Sequence, residues 1–356
     1  MAAPDRMNDL LAAPNPVDGD VRHARRVPRS RGFVAALVVG ALLLVGGGGV
    51  AAYFGYRMSL EGNMEQLDPF AEIDPSTRPS APPVEGPTAP VNILVLGSDS
   101  RISAGDPTAW EAGAQRTDAI MLVHLAADRK TAAAISIPRD SWVTVPGYGE
   151  AKINAAFSYG GPGLMIQTVE DLTGVRIDHF AVTDFESFMT LTDSLDGVEI
   201  TVPDDAGGSV RQAMTGEEAL AFTRERYALA NGDFGRVQRQ QAWMRAIVAK
   251  ANNSRSDPLK MARFLEAITS SVAVDEDLTL DRIQELFTGA GDLSTNDITF
   301  MTAPYSGTGR SADGQSIVVL DRTTFDPLMK AVAKDEVPGF LEATPDAMDV
   351  LPAVVQ

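Results

Sequence analysis

Residues 33–56 contain no charged side chain and are built almost wholly from Val, Ala, Leu, Gly and aromatic residues. At about 1.5 Å of rise per residue such a run spans on the order of 35 Å as a helix, enough to cross a hydrocarbon core of roughly 30 Å. The glycines at 46–49 would weaken a soluble helix but are tolerated in membrane helices. Arg22, Arg25, Arg26, Arg29 and Arg31 precede the run, and Glu61, Glu65 and Asp68 follow it. The positive-inside rule therefore predicts a single-pass transmembrane helix at 33–56, with a basic, non-periodic segment at 1–32 in the cytoplasm and the C-terminal bulk outside the cell membrane. A cleaved signal peptide has a shorter apolar region and a better small-residue cleavage site than Ala51-Ala52, so an uncleaved anchor is expected.

The formal charge is −18, although residues 1–32 carry six Arg against four Asp, so the remainder is more acidic still. A body of that sign repels a nucleic-acid duplex, and no nucleic acid is expected as a partner. Any phosphate must be met by a local cluster of cations. There is no cysteine and there are three His, which excludes disulfides and thiolate metal sites and argues against a multi-histidine zinc site.

Residues 57–90 are Pro-rich and predict a linker, either an extended spacer or a short wrap around the domain. The folded domain is expected over 91–337, followed by a loose tail at 338–356. Apolar runs predict strands near 92–96, 119–125, 132–137, 177–182, 198–202, 298–301 and 317–320. Helical spacing occupies 153–159, 164–172, 185–195, 217–224, 237–251, 261–273, 280–288 and 323–332, with Gly174 as a C-cap. Strands alternating with helices predict an α/β fold, a sandwich around one central sheet.

Charged groups gather at the ends of these apolar elements. Asp99 and Arg101 follow the first strand, at the edge where open α/β sheets bind ligands; a plain Asx turn is the bland alternative. Asp118 enters the next strand, and with Asp99 it would give Mg²⁺ the one or two carboxylates it takes beside phosphate oxygens. Arg139 and Asp140 follow Pro138 at a strand end; an arginine fork suits phosphate, while a structural pair with Asp118 or Asp140 competes. Lys152 opens a helix against its dipole. Arg224 and Arg226 end one helix, and Arg236, Arg239 and Gln240 stand at i, i+3 and i+4 of the next, with Asp233 as its expected N-cap. Arginines crowded at a helix N-terminus call for an anion, while a ladder of ion pairs with Glu217, Glu218, Glu225 and Asp233 is the structural alternative.

NILVLGSDSR, RTDAIMLV, SIPRDSWV, KINAAFSYGGP and ALAFTRER followed by GDFGRVQRQQ resemble, in order, the signatures of the LytR-CpsA-Psr family. The resemblance covers roughly residues 91–251. It implies a central mixed β-sheet flanked by helices, enclosing a hydrophobic pocket for a polyprenyl chain with the pyrophosphate at a charged mouth. Carried over, it implies Mg²⁺ on Asp99 and Asp118, and pyrophosphate contacts from Arg101, Arg139, Lys152, Arg224, Arg226 and Arg236, with Arg239 and Gln240 also matching. The implied reaction moves a glycan-1-phosphate from a polyprenyl-pyrophosphate-linked glycan to a peptidoglycan hydroxyl, by family analogy a muramic acid 6-OH. Arg139, Asp99 and Asp140 are the catalytic candidates, either carboxylate serving as base. The rivals are a binding-only carrier or sensor, a pyrophosphate hydrolase, a membrane-bound transcription attenuator and a structural wall adhesin. The paired carboxylates argue against simple anion capture, and the arginine cluster has no place in an adhesin.

Overall fold

The computed structural model describes residues 53–82, 88–98, 117–226, 229 and 231–356. The unit from Tyr56 to Gln356 carries the fold. Two helical turns at 56–63 (α1) lead to β1 (Gln66–Leu67), β2 (Val91–Ser98), β3 (Thr117–Leu125) and β4 (Ala132–Ser136). The hairpin β5 (Trp142–Val145) and β6 (Gly149–Lys152) feeds α2 (Ile153–Thr173), β7 (His179–Thr183) and α3 (Phe185–Ser194). A second hairpin, β8 (Val198–Pro203) and β9 (Ser209–Met214), precedes α4 (Gly216–Arg224), α5 (Asp233–Ser254) and α6 (Pro258–Ser271). Then follow β10 (Ala273–Asp275), α7 (Leu280–Gly289), β11 (Ile298–Thr302), and the hairpin β12 (Tyr305–Arg310) and β13 (Ser316–Leu320). The chain closes with α8 (Arg322–Ala333), α9 (Val337–Ala343) and β14 (Asp349–Val350).

Among the described residues one mixed sheet runs in the order β1-β10-β7-β2-β3-β4-β11-β14. Its centre is antiparallel where β2, β3 and β4 meet, and parallel where β7 joins β2 and β11 joins β4. Alternation along a strand sends successive side chains to opposite faces. Leu94, Leu96, Ile120 and Leu122 face one layer, where α2 and α8 bury Phe157, Met165, Val169, Phe325 and Leu328 without exposed surface. Val95, Met121 and Val123 face the other layer, formed by α3, α4, α5 and α6 around Trp243, Ile247 and Phe264. The mixed sheet flanked by helices is the architecture that the sequence predicts.

Local signals explain most helix ends. Thr215 and Glu218 form a reciprocal capping box on α4, and Asp184 accepts from the Ser187 N–H to start α3. Gly174 ends α2 in the left-handed region at φ 67°, as expected. The gap between the two predicted pieces of α2 is a break at Gly160 and Gly161, the latter at φ 65° just before Pro162.

Of residues 57–90, those described at 57–82 lie against the domain, one of the two arrangements that the Pro-rich stretch allows. Leu60, Leu67 and Ile73 are buried, β1 pairs with β10, and Arg78 binds Glu170 at 2.7 Å. The tail at 338–356 is not loose. β14 adds to the sheet beside β11, the Leu351 N–H donates to the Phe300 carbonyl, and Val355 is fully buried. The predicted span at 33–56 lies almost wholly outside the described residues, and among those described no helix is long and apolar enough to cross a membrane.

Candidate functional site

β2 ends in a bulge between Gly97 and Ser98 where it pairs with β3. A Cβ on Gly97 would lie 3.1 Å from the Ala119 Cβ, so glycine keeps these strands close at the lip of a cavity. That cavity has a volume of about 330 Å³ and lies on the sheet face covered by α3, α4 and α5. Its inner wall is apolar: Val95 and Met121 from the sheet, Phe185 and Phe188 from α3, Leu220 from α4, and Trp243 and Met244 from α5. The Trp243 ring stacks on Phe188 at 4.0 Å, and its indole N–H donates to the Thr192 hydroxyl at 3.0 Å. The one polar handle of that ring is thus satisfied away from the cavity.

The mouth is charged. Asp118, Arg139, Arg224, Arg226, Arg236 and Gln240 all line it. Asp118 forms a short contact with Arg139 Nη1 and lies 3.5 Å from Arg236 Nη1. Asp233 lies 2.9 Å from Arg236 and 3.7 Å from Arg139. Arg224 holds its guanidinium 4.3 Å from the Phe185 ring centre, a cation–π arrangement. Arg236 is only 5% exposed, and burial pulls its pKa down; Asp233 and Asp118 offset this, while Arg139 and Arg226 add to it. The Nε groups of Arg139 and Arg236 are buried and meet no acceptor among the described residues. Buried donors left over in a cluster of cations could serve an anion seated at the mouth.

Among the candidates, Asp118, Arg139, Arg224, Arg226, Arg236 and Gln240 therefore converge. Asp140 and Lys152 lie beside them in an adjoining cleft, 3.0 Å apart, so Lys152 answers a carboxylate. Asp99 and Arg101 fall outside the described residues. Arg239 does not join the site. It stacks on Phe222 at 4.1 Å and donates to the Phe222 carbonyl in the last turn of α4 and to the Gln356 carbonyl. At i+3 from Arg236 it falls on the flank of α5 that α4 and the C-terminus cover, where it caps an open helix end. Asp233 is not the N-cap either. Gly232 holds that position at φ 54°, and the Asp233 carboxylate turns back to the arginines.

Sequence reasoning offered Asp233 as one of four carboxylates that could pair with the arginines, and missed the aromatic wall of the cavity. Phe185 and Phe188 at i, i+3 carried the signal, but it is the same as that of any helix packed in a core. Among the described residues no group of three His, Asp or Glu could hold a metal by itself. Asp118, a carboxylate at the arginine-lined mouth, fits the donor set of a Mg²⁺ ion that draws its other ligands from phosphate oxygens and water.

The model of the LytR_cpsA_psr family matches residues 61–334. The cell wall biosynthesis protein LcpA of Corynebacterium glutamicum is 31% identical over 278 residues, 65% of this chain and 53% of that protein. The chain spans about half the length of the curated relatives it matches. Among solved structures, TagV of B. subtilis is similar with a TM-score of 0.58 at 25% identity, over 69% of this chain and 97% of that one. TagT bound to LIIa-WTA is similar with a TM-score of 0.55 at 26% identity, over 76% and 96%.

Proposed function

This chain belongs to the LytR-CpsA-Psr family, and on that premise we propose that it is a membrane-anchored extracytoplasmic phosphotransferase. It moves a glycan-1-phosphate from a polyprenyl-pyrophosphate carrier to a hydroxyl of peptidoglycan. The observation that supports this most is the junction of an apolar cavity with a mouth of four arginines. A prenyl chain needs the first and a diphosphate the second, and few other ligands need both. The cell-wall role named for LcpA and the ligand named for TagT agree with it.

In the proposed reaction the prenyl chain lies between Phe188, Trp243 and Met244, and Arg139, Arg224, Arg226 and Arg236 hold the diphosphate oxygens. An acceptor hydroxyl attacks the sugar-side phosphorus, its O–P bond forms, and the bridging P–O bond breaks toward polyprenyl phosphate. Positioning and charge neutralisation dominate such transfers. Asp118 and Asp99 would hold Mg²⁺, which when bound supplies further neutralisation of the diphosphate. Asp140, next to Arg139 in the chain and paired with Lys152, is the proposed acceptor of the hydroxyl proton, with Asp99 the other candidate.

The test is mass spectrometry of the full-length chain extracted from membranes, joined to an assay of polyprenyl phosphate release. Bound prenyl phosphate and acceptor-dependent release support transfer. Release that ignores the acceptor marks a hydrolase, and binding without release marks a carrier or sensor. Absence of any prenyl phosphate binding removes the proposal.

A further inference from the structure

The cleft that holds Asp140 and Lys152 has a volume of about 550 Å³ and shares Arg139 and Arg226 with the apolar cavity. That is within the roughly 300–1,000 Å³ usual for ligand pockets. Its lining differs in kind from that of its neighbour. Asn154 and Ser158 stand at i, i+4 on α2, Gln315 reaches in beside β13, and Ala151 and Ala155 are small. Lys152 and Asp140 neutralise each other at 3.0 Å. Among the described residues, the lining of the cleft beyond the arginines is thus rich in uncharged and self-compensated hydrogen-bonding groups and includes no large aliphatic side chain. It suits neither a lipid tail nor a second strong anion.

Its rim carries an exposed aromatic pair. Tyr159 lines the cleft and is 40% exposed; Tyr148 is 58% exposed. Their rings stack at 4.7 Å with 21° between planes, and the Tyr148 hydroxyl donates to the Tyr159 carbonyl at 3.4 Å. Tyr148 sits at the tip of the β5–β6 hairpin between Gly147 and Gly149, at φ 77° and 82°. Left-handed backbone on both sides turns the tip tightly enough to bring its ring onto α2. The two rings, held together and both partly exposed, form an aromatic surface beside the polar cleft. A pyranose ring offers what fits: a C–H face to lie on an aromatic ring, and equatorial hydroxyls and amides for flanking polar groups.

We propose that this cleft seats the acceptor saccharide, with Tyr148 and Tyr159 as its stacking platform and Asn154, Ser158 and Gln315 as its polar contacts. The inference rests on the phosphotransferase proposal for the meaning of the shared arginines. A sugar in the cleft presents a hydroxyl at Arg139 and Asp140, beside a diphosphate in the cavity mouth. Tyr148 and Tyr159 act as binding residues for the acceptor and not for the donor.

The experiment uses the full-length chain in detergent and a peptide-free oligosaccharide of alternating N-acetylglucosamine and N-acetylmuramic acid. Saturation-transfer NMR reads its binding without any donor, and prenyl phosphate retention is read separately on the same samples. Tyr159→Ala weakens oligosaccharide binding about three- to tenfold, the equivalent of one aromatic stack. Tyr148→Ala acts in the same direction, Tyr159→Trp restores binding, and prenyl phosphate retention is unchanged in all three. In the transfer assay the acceptor KM rises while the donor KM holds. An oligosaccharide that does not bind the wild type, or binds Tyr159→Ala equally well, overturns the acceptor seat. Loss of prenyl phosphate in the wild type would instead remove the donor reading, whatever the saccharide does.

Discussion

The Arg236 guanidinium lies 2.9 Å from the Asp233 carboxylate, one turn earlier on the same helix, with Arg236 almost wholly buried. An isolated i, i+3 pair on a helix surface contributes a few tenths of a kcal/mol. This one differs because the arginine is desolvated and has Arg139 and Arg226 near enough to repel it. Asp233 therefore holds the cluster together before any ligand arrives.

Asp233→Asn removes that restraint and leaves buried cations undercompensated. The cost should be about 1–3 kcal/mol, less than for a fully enclosed pair because Asp118 remains. The Tm of the full-length chain falls by several degrees. Inorganic pyrophosphate raises it more in the variant than in the wild type, since a ligand that neutralises the site gains most where the charge excess is greatest. Equal pyrophosphate shifts in both proteins would show that Asp233 does not share the anion's work.

Arg139 joins the two carboxylates of the mouth, as Arg236 does. It contacts Asp118, lies 3.7 Å from Asp233, and keeps a buried Nε–H without an acceptor. Arg139→Ala should lower the transfer rate by about 10²–10³, the usual loss when one donor to a developing charge is removed. Arg139→Lys should recover little, because a point charge cannot both hold Asp118 and offer a planar fork. Rates from radiolabelled donor, with circular dichroism to show an intact fold, check both variants.

The apolar cavity gives a prediction that leaves the charges alone. Leu220, on α4, lines it opposite the sheet. Leu220→Trp fills part of the volume that the prenyl chain needs, so prenyl phosphate retention falls steeply. Inorganic pyrophosphate binding, read by calorimetry, stays within about twofold, because each guanidinium keeps its partners. Parallel loss of both would mean the two halves of the site are not separable.

The strands β2, β3 and β4 were legible because a buried strand reads as a near-continuous apolar run, and 92–96, 119–125 and 132–137 are each apolar at all but one position. Arg236 was legible as a candidate because a cation at a helix N-terminus needs a counter-charge, part of which Asp233 and Asp118 supply. The direction of Arg239 was not, since it depends on where α4 ends and where the C-terminus returns, neither of which α5 encodes. The β5–β6 hairpin escaped notice for a related reason. Its residues alternate weakly, and the glycines that turn it read equally well as an open loop. Tyr148 and Tyr159, eleven residues apart, become neighbours only once that hairpin folds back.

The C-terminal strand follows the same logic and is open to test. Asp349 and Val350 are too few to show strand periodicity, and Pro338 and Pro345 ahead of them suggest a frayed end. Yet the Leu351 N–H meets the Phe300 carbonyl at 2.9 Å and the Val355 N–H meets the Thr201 carbonyl at 3.0 Å. Leu351 and Val355 both enter the core layer that contains Trp243. Arg239 and Arg245 then donate to the carbonyls of Gln356, Pro352 and Ala353, tying α5 to the end of the chain. Val355→Asp places a carboxylate where a buried methyl pair sat, and should cost about 3–5 kcal/mol in unfolding free energy. Because α5 carries Arg236 and Gln240, the same change should also loosen the mouth and weaken pyrophosphate binding. Val355→Ala separates the two effects. It deletes two methyl groups, costs about 1–2 kcal/mol, and should leave pyrophosphate affinity intact. Denaturant unfolding read beside calorimetric titration decides it, and an unchanged unfolding midpoint for Val355→Asp would return residues 338–356 to the status of a loose tail.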